Sequence, residues 1–361
     1  MIGSCADFAR NLLAWYSRCR RQLPWRAAND GARIEPWAIL VSELMLQQTQ
    51  VVTVVPYFHR FMARFPAPPD LAKATEQEVL RLWQGLGYYA RARHLLAAAR
   101  SIVADFQGRV PDSLAGLRSL PGVGRYTAGA VASIAYDLRA PILDGNVARV
   151  LCRLDKIRSD PRDSATNARL WRRAEQVLPD KQVGEFNSAL MELGATICTA
   201  RSPRCELCPV RPFCQAASQG LQEKIPLPRK SRSTPLLCRW TICVHRGPRW
   251  LLEQRPPTGR WAAMWQFVTV EASERSPNCA MLRRRLGLRI TGLRRIGQVR
   301  HALTHRRYVF DVFAARTEGG ASCKSHPLRR WLKLDELDAY PLPRVHLRIA
   351  QMLLSPEFTA G

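Results

Sequence analysis

The period of the apolar positions changes along this chain. Near the start, Leu12, Leu13, Trp15 and Tyr16 are interleaved with Arg10, Arg18 and Arg20, the pattern of an amphipathic helix. Trp37, Leu40, Val41, Leu44 and Met45 then repeat with the 3.6-residue period of a buried helix. Ile39, Glu43, Leu46 and Gln47 form the row beside them, which puts Glu43 at the edge of the buried face. A third helical stripe, Phe186, Leu190, Met191 and Leu193, leads into a cysteine-rich loop. Residues 219–235 are polar, basic and rich in proline, the composition of a linker. Beyond them the period shortens: 237–244 alternate with β-branched residues, and strand-like runs recur at 250–253 and 308–313. The expected architecture is therefore a mostly helical core over 1–218, a linker over 219–235 and an α+β domain over 236–361.

Between two apolar helical stretches stands Leu120-Pro121-Gly122-Val123-Gly124-Arg125-Tyr126, which cannot continue a helix and predicts a tight turn. Its glycines leave backbone N–H groups uncovered, and the next helix presents a positive N-terminal end, so the turn suits a phosphate. No Gly-Lys-Ser/Thr makes it a nucleotide-binding loop. The residues alone leave a second reading open, glycines that only let two helices pack closely. Asp144 follows eighteen residues after Tyr126 and precedes a helix start, so it is an N-cap, a chemical group, or both.

Charge narrows the partners. Lys plus Arg number 55 against 29 Asp plus Glu, a net +26, which points to a polyanion, most simply nucleic acid. No run of eighteen apolar residues and no signal-peptide core is found. No membrane partner is expected, and the expected location is the cytoplasm, on the nucleoid in a bacterium. The eleven cysteines then read as reduced thiols and metal ligands. Cys198, Cys205, Cys208 and Cys214 are spaced C-x6-C-x2-C-x5-C among prolines and arginines. Four thiolates in one loop suit zinc or an iron–sulfur cube. A single C-x2-C with two longer arms fits the cube better than the paired knuckles of structural zinc.

Together the turn, Asp144 and the cysteine spacing resemble the helix-hairpin-helix DNA glycosylases of the endonuclease III superfamily. Further segments narrow the resemblance to the adenine DNA glycosylase (MutY) family: Leu23-Pro24-Trp25-Arg26, Ser42 to Gln50, Gly85-Leu86-Gly87-Tyr88-Tyr89, Leu143-Asp144-Gly145-Asn146 and Phe186 to Gly194. The resemblance is close from Ala6 to Gln219 and looser beyond.

It implies a [4Fe-4S] cluster on Cys198, Cys205, Cys208 and Cys214, and a monomer acting on duplex DNA that contains A:8-oxoguanine or A:G mispairs. Glu43 would protonate adenine at N7. Held at a buried edge without a basic partner on its own helix, it should have the raised pKa a general acid needs. Asp144 would face C1′ of the sugar, with Asn146 hydrogen-bonded near it, as paired carboxylates serve glycoside hydrolysis. Superfamily members that also cut the strand carry lysine where Tyr126 stands, so the expected reaction ends at an abasic site. The base must first leave the stack. Gln48 and Tyr88 would wedge into the gap, and Trp25, Arg26 and Leu46 would wall the adenine pocket. Thr49, Leu86, Gly122, Gly124 and Arg125 complete the expected DNA contacts. Ser188 departs from the family's Glu or Gln at the position expected to touch adenine. Competing readings are a mismatch thymine glycosylase of the same superfamily, a strand-cleaving lyase, and a non-catalytic lesion-binding protein.

The C-terminal part resembles the Nudix-like domain of the same family. The Nudix pattern of paired glutamates is missing, and Arg283-Arg284-Arg285-Leu286-Gly287-Leu288 stands in the comparable place. From 281 to 307 there are nine arginines and no acid, which favours backbone binding over pyrophosphate cleavage. Leu303-Thr304-His305 matches the family's Phe-Ser-His loop, implying a reader of 8-oxoguanine in which leucine replaces the aromatic.

Overall fold

The computed structural model describes residues 4–26, 34–227, 233–272, 276–303, 306–317 and 328–354. The chain divides into two compact units, one of residues 1–74 and 94–231, the other of residues 75–93 and 232–361. No helix among the described residues is long and apolar enough to cross a membrane.

The first unit is helical. It is built from α1 (Cys5–Cys19), α2 (Pro36–Leu46), α3 (Val51–Arg64) and α4 (Pro68–Ala72). After α5 (Glu76–Leu82), which belongs to the other unit, come α6 (Ala90–Asp105), α7 (Leu114–Ser119), α8 (Arg125–Tyr136), α9 (Gly145–Leu154), α10 (Ser164–Gln176), α11 (Val183–Thr196) and α12 (Gln215–Ser218). Side chains cap the free N–H groups at several starts: Ser4 for α1, Ser113 for α7 and Asp144 for α9. One core joins Leu12 of α1, Leu151 of α9, Leu170 of α10 and Phe186, Leu190 and Leu193 of α11. Helix α2 has Ile39, Leu40, Val41, Leu44 and Met45 almost without solvent exposure. It is therefore buried nearly all round, and Glu43 is carried inside with it.

The predicted turn joins α7 to α8. Gly122 has φ +77°, and a Cβ there would stand 2.4 Å from that of His94, so both conformation and space require glycine.

The second unit carries a six-stranded sheet of order β4-β5-β1-β3-β2-β6. The strands are β1 (Leu236–Arg246), β2 (Arg249–Gln254), β3 (Trp265–Glu271), β4 (Ile290–Leu303), β5 (Arg306–Thr317) and β6 (Arg329–Leu332). Among the described residues only the β1–β5 pairing is parallel. Period-two alternation splits each strand between two cores. Cys243, Leu252, Phe267 and Phe310 pack with α14 (Arg344–Leu353) on one face. Ile242, Val244, Leu251 and Val268 pack with α13 (Cys279–Leu286) on the other.

The packed boundaries differ from those expected at 218 and 236. Ile225 is buried in the core of the first unit, and its carbonyl accepts from Arg153 Nε at 2.9 Å, so packed chain continues past 218. Residues 75–93 pack with the sheet unit: Gln77 Oε1 accepts from Trp265 Nε1 at 3.1 Å, and Gln84 Oε1 accepts from the Leu342 N–H at 2.8 Å. Composition along the chain cannot show this, because the segment is an excursion between two helices of the other unit.

Candidate active site

A cavity of about 1040 Å³ opens in the first unit where α2, the turn before α8, the start of α9 and α11 meet. The residues anticipated as catalytic, Glu43, Tyr126, Asp144 and Asn146, all line it. So do Trp25, Arg26, Leu46, Gln48, Thr49, Gly122, Gly124 and Arg125.

Glu43 is 5% exposed, and Tyr126 Oη donates to its Oε2 at 2.8 Å. Burial pushes the Glu43 carboxyl up to about 7; the Tyr126 hydrogen bond and Arg26 oppose this, and the Asp144 charge adds to it. The group is thus substantially protonated at neutral pH. The Tyr126 phenol is held well above its usual range by burial and by the two carboxylates, so it stays neutral. Its hydroxyl also lies 3.3 Å from Met191 Sδ.

Asp144 serves as the N-cap of α9. Its Oδ1 accepts from the Val147 N–H at 2.7 Å and its Oδ2 from Asn146 Nδ2 at 3.0 Å. Burial raises its pKa, and these donors and Arg149 oppose the rise without reversing it. The cap and chemical readings are compatible, since the cap fixes the side chain while its oxygens still border the cavity. Asn146 is oriented in turn by Arg149, whose Nη2 donates to Asn146 Oδ1 at 2.9 Å and whose Nε donates to the Cys198 carbonyl at 2.8 Å. A hydrogen-bonded path therefore runs from the cysteine loop to Asp144.

Ser188 requires a correction. It is buried and borders a separate recess with Tyr16, Arg20 and Glu185, not this cavity. One helical turn later, Glu192 reaches the cavity instead. Its carboxylate is fully buried and accepts from Arg26 Nη1 at 3.0 Å and Arg21 Nη2 at 3.1 Å. Burial opposes its charge, yet the two arginines hold it below the usual carboxylate range. Glu192, Arg21, Thr127 and Met191 line the cavity without having been anticipated. An acid at 192 between the apolar Leu190, Met191 and Leu193 was the available signal for the first of them.

Several other residues are placed by packing. Trp25 meets Phe58 edge-on at 5.3 Å and still borders the cavity. Arg125 lies over the Trp171 ring at 3.9 Å. Gln48 takes a left-handed φ of 57°, which turns the chain between α2 and α3 at the cavity rim.

Leu86 and Tyr88 belong to the second unit, where they line a cavity of about 520 Å³ with Arg260, Trp261 and Leu303. Tyr88 is held at φ 49°, with Arg91 over its ring at 5.3 Å. Thr304 and His305, the remaining anticipated lesion readers, lie outside the described residues.

Cys198, Cys205, Cys208 and Cys214 line one small cavity with Arg153 and Arg211. Among the described residues no three His, Cys, Asp or Glu side chains form a single-ion site. Four thiols around one shared space are a donor set that suits a polynuclear cluster. Backbone N–H groups also point at the sulfurs, from Val210 to Cys208 and from Ala216 and Ala217 to Cys214. The residues fit the [4Fe-4S] group, which when bound would tie 198–214 into one rigid loop.

Comparison with known proteins agrees with this geometry. Residues 41–176 match the HhH-GPD superfamily of base excision DNA repair proteins, and residues 198–214 match the iron–sulfur binding domain of endonuclease III. The adenine DNA glycosylase of Rattus norvegicus is 38% identical over 389 residues, spanning 93% of this chain and 75% of that protein. This chain belongs to the adenine DNA glycosylase family. The Mycobacterium tuberculosis adenine DNA glycosylase is 47% identical over 207 residues, spanning 55% of this chain and 64% of that one. A thermostable thymine-DNA glycosylase superposes with a TM-score of 0.53 at 29% identity, over 60% of this chain and 97% of that one. Residues 239–352 match a NUDIX domain, so this family member couples a helical glycosylase core to a Nudix sheet.

Proposed function

We propose that this base excision repair glycosylase hydrolyses the N-glycosidic bond of adenine mispaired with 8-oxoguanine or guanine in duplex DNA. The observation that carries the reading is a pair of differently tuned carboxyl groups in one cavity. Burial raises both carboxyls, Glu43 to about 7, while hydrogen-bond donors oppose the rise at Asp144. Glu43 delivers its proton to adenine N7, so the base leaves neutral. Tyr126 then donates to the carboxylate left behind. Asp144, fixed by Val147 and Asn146, faces the positive charge that develops at C1′. No lysine stands where Tyr126 does, so water ends the reaction at an abasic site.

Gly122, Gly124 and the N-terminus of α8 offer backbone N–H groups to a DNA phosphate. Gln48 and Tyr88 fill the space left by the extruded base. Trp25, Arg26, Leu46 and Glu192 surround the adenine. Leu303, Thr304 and His305 read the opposite base. The enzyme acts as a monomer where the DNA is, in the cytoplasm or on the nucleoid.

Single-turnover incubation with four duplexes tests this: A opposite 8-oxoguanine, A opposite G, T opposite G, and A opposite T. Free adenine from the first two alone is the expected result. Thymine release, or strand breaks without added base, would refute it and favour the thymine-glycosylase or lyase reading.

A further inference from the structure

Arg153 on α9 is 2% exposed, among the largest fully buried side chains in the molecule. Its guanidinium reaches two separate stretches of chain, 198–200 and Ile225. Nη1 donates to the Thr199 carbonyl at 2.7 Å and to Cys198 Sγ at 3.2 Å, and Nη2 to the Ala200 carbonyl at 3.4 Å. Nε donates to the Ile225 carbonyl at 2.9 Å. All of these protein partners are neutral carbonyls except the sulfur. Among the described residues no carboxylate pairs with this guanidinium, although buried arginines need a counter-charge. The cavity beside it is lined by the four cysteines. A four-iron cube on four thiolates carries net negative charge, and a donor aimed at a ligand sulfur tunes such a group.

We infer that Arg153 is the buried counter-charge of the iron–sulfur loop and the clasp that ties segment 221–227 to it. The two roles use different atoms: the charge and Nη1 face Cys198, while Nε holds Ile225, the buried anchor of the segment. Cluster integrity and the order of the chain leaving the first unit are thereby coupled through one side chain. Arg153 is a positioning residue, because the site cavity does not include it.

The test compares full-length Arg153→Gln and Arg153→Lys with the wild type and with Arg204→Gln. Arg204 is an exposed residue of the same loop that donates to the Thr196 carbonyl at 2.7 Å. The readouts are iron and sulfide content, the one-electron reduction potential of the cluster, its rate of bleaching by ferricyanide, and proteolysis within 221–227.

Arg153→Gln should shift the potential negative, because a positive charge and a sulfur donor are lost, and should bleach several-fold faster. Arg153→Lys should keep the potential near wild type, since charge remains, yet expose 221–227 to protease. Arg204→Gln should change neither. A Gln variant with wild-type potential and bleaching rate would overturn the assignment. If the Gln variant does not fold, the Lys variant decides: retained potential with a loosened segment supports it, and a segment as protected as wild type overturns it. A wild-type protein lacking iron would remove both the cofactor and the assignment.

Discussion

Two walls of one cavity carry a buried glutamate each, and the protein treats them in opposite ways. On α2, Glu43 is surrounded by aliphatic side chains and a phenol, and its carboxyl is raised to about 7. On α11, Glu192 is also buried, but Arg21 and Arg26 hold it as a carboxylate. Burial alone therefore does not decide protonation; the nearest partners do. Arg26 connects the walls. It pairs with Glu192 and also pulls the Glu43 pKa down, so one side chain acts on both acids.

The largest expected effect comes from removing the acid. Glu43→Gln should slow single-turnover adenine release at least about 10²- to 10⁴-fold while leaving duplex binding within a few-fold. A variant near the wild-type rate would show that the raised carboxyl is not the proton donor.

Next is Glu192→Gln, which leaves two arginines beside the cavity without their partner. Melting temperature should drop by several degrees, reflecting roughly 1–3 kcal/mol for breaking a partly buried ion pair. With Arg26 released, the alkaline limb of the rate–pH profile should also move to lower pH. An unmoved limb would mean the two walls are electrostatically independent.

A third outcome concerns stability. Since folding raises the Glu43 pKa from 4.5 to about 7, its contribution is most favourable below about pH 4.5 and is lost as pH rises towards 7. Glutamine does not titrate. Glu43→Gln should therefore gain on the wild type between pH 4.5 and 7, by on the order of 3 kcal/mol once the change is complete. Chemical denaturation at pH 5 and pH 8 would measure this, and an equal difference at both values would contradict it.

The smallest expected effect is that of Tyr126→Phe. Losing the 2.8 Å donor removes an interaction that favours the ionised form, so the alkaline limb should rise by less than about one pH unit. A downward shift would mean that the phenol does not donate to Glu43.

Much of this contrast was legible in the chain. The 3.6-residue stripe around Glu43 and the missing basic partner on its helix led to a raised pKa, and the spacing of Cys198, Cys205, Cys208 and Cys214 led to the cluster loop. Glu192 was not legible there: the family pattern points to Ser188, one turn earlier. Its partners Arg21 and Arg26 are more than 160 positions away in sequence, so no local pattern links them. The placement of residues 75–93 is illegible for a similar reason, since helical periodicity says nothing about which unit a segment packs against. The arginines that brace Asp144 and the cysteine loop, Arg149 and Arg153, carry no local sequence signal in a strongly basic chain. Their role exists only in three dimensions, where carbonyls from distant loops converge on them.

The central claim is that burial keeps Glu43 protonated near neutral pH. Infrared difference spectroscopy measures it directly, by titrating the protonated-carboxyl stretch of the wild type against Glu43→Gln. The account predicts a band present at pH 5, absent from the variant, and lost with a midpoint near 7. A midpoint near 4.5, the value of an ordinary glutamate, would contradict it.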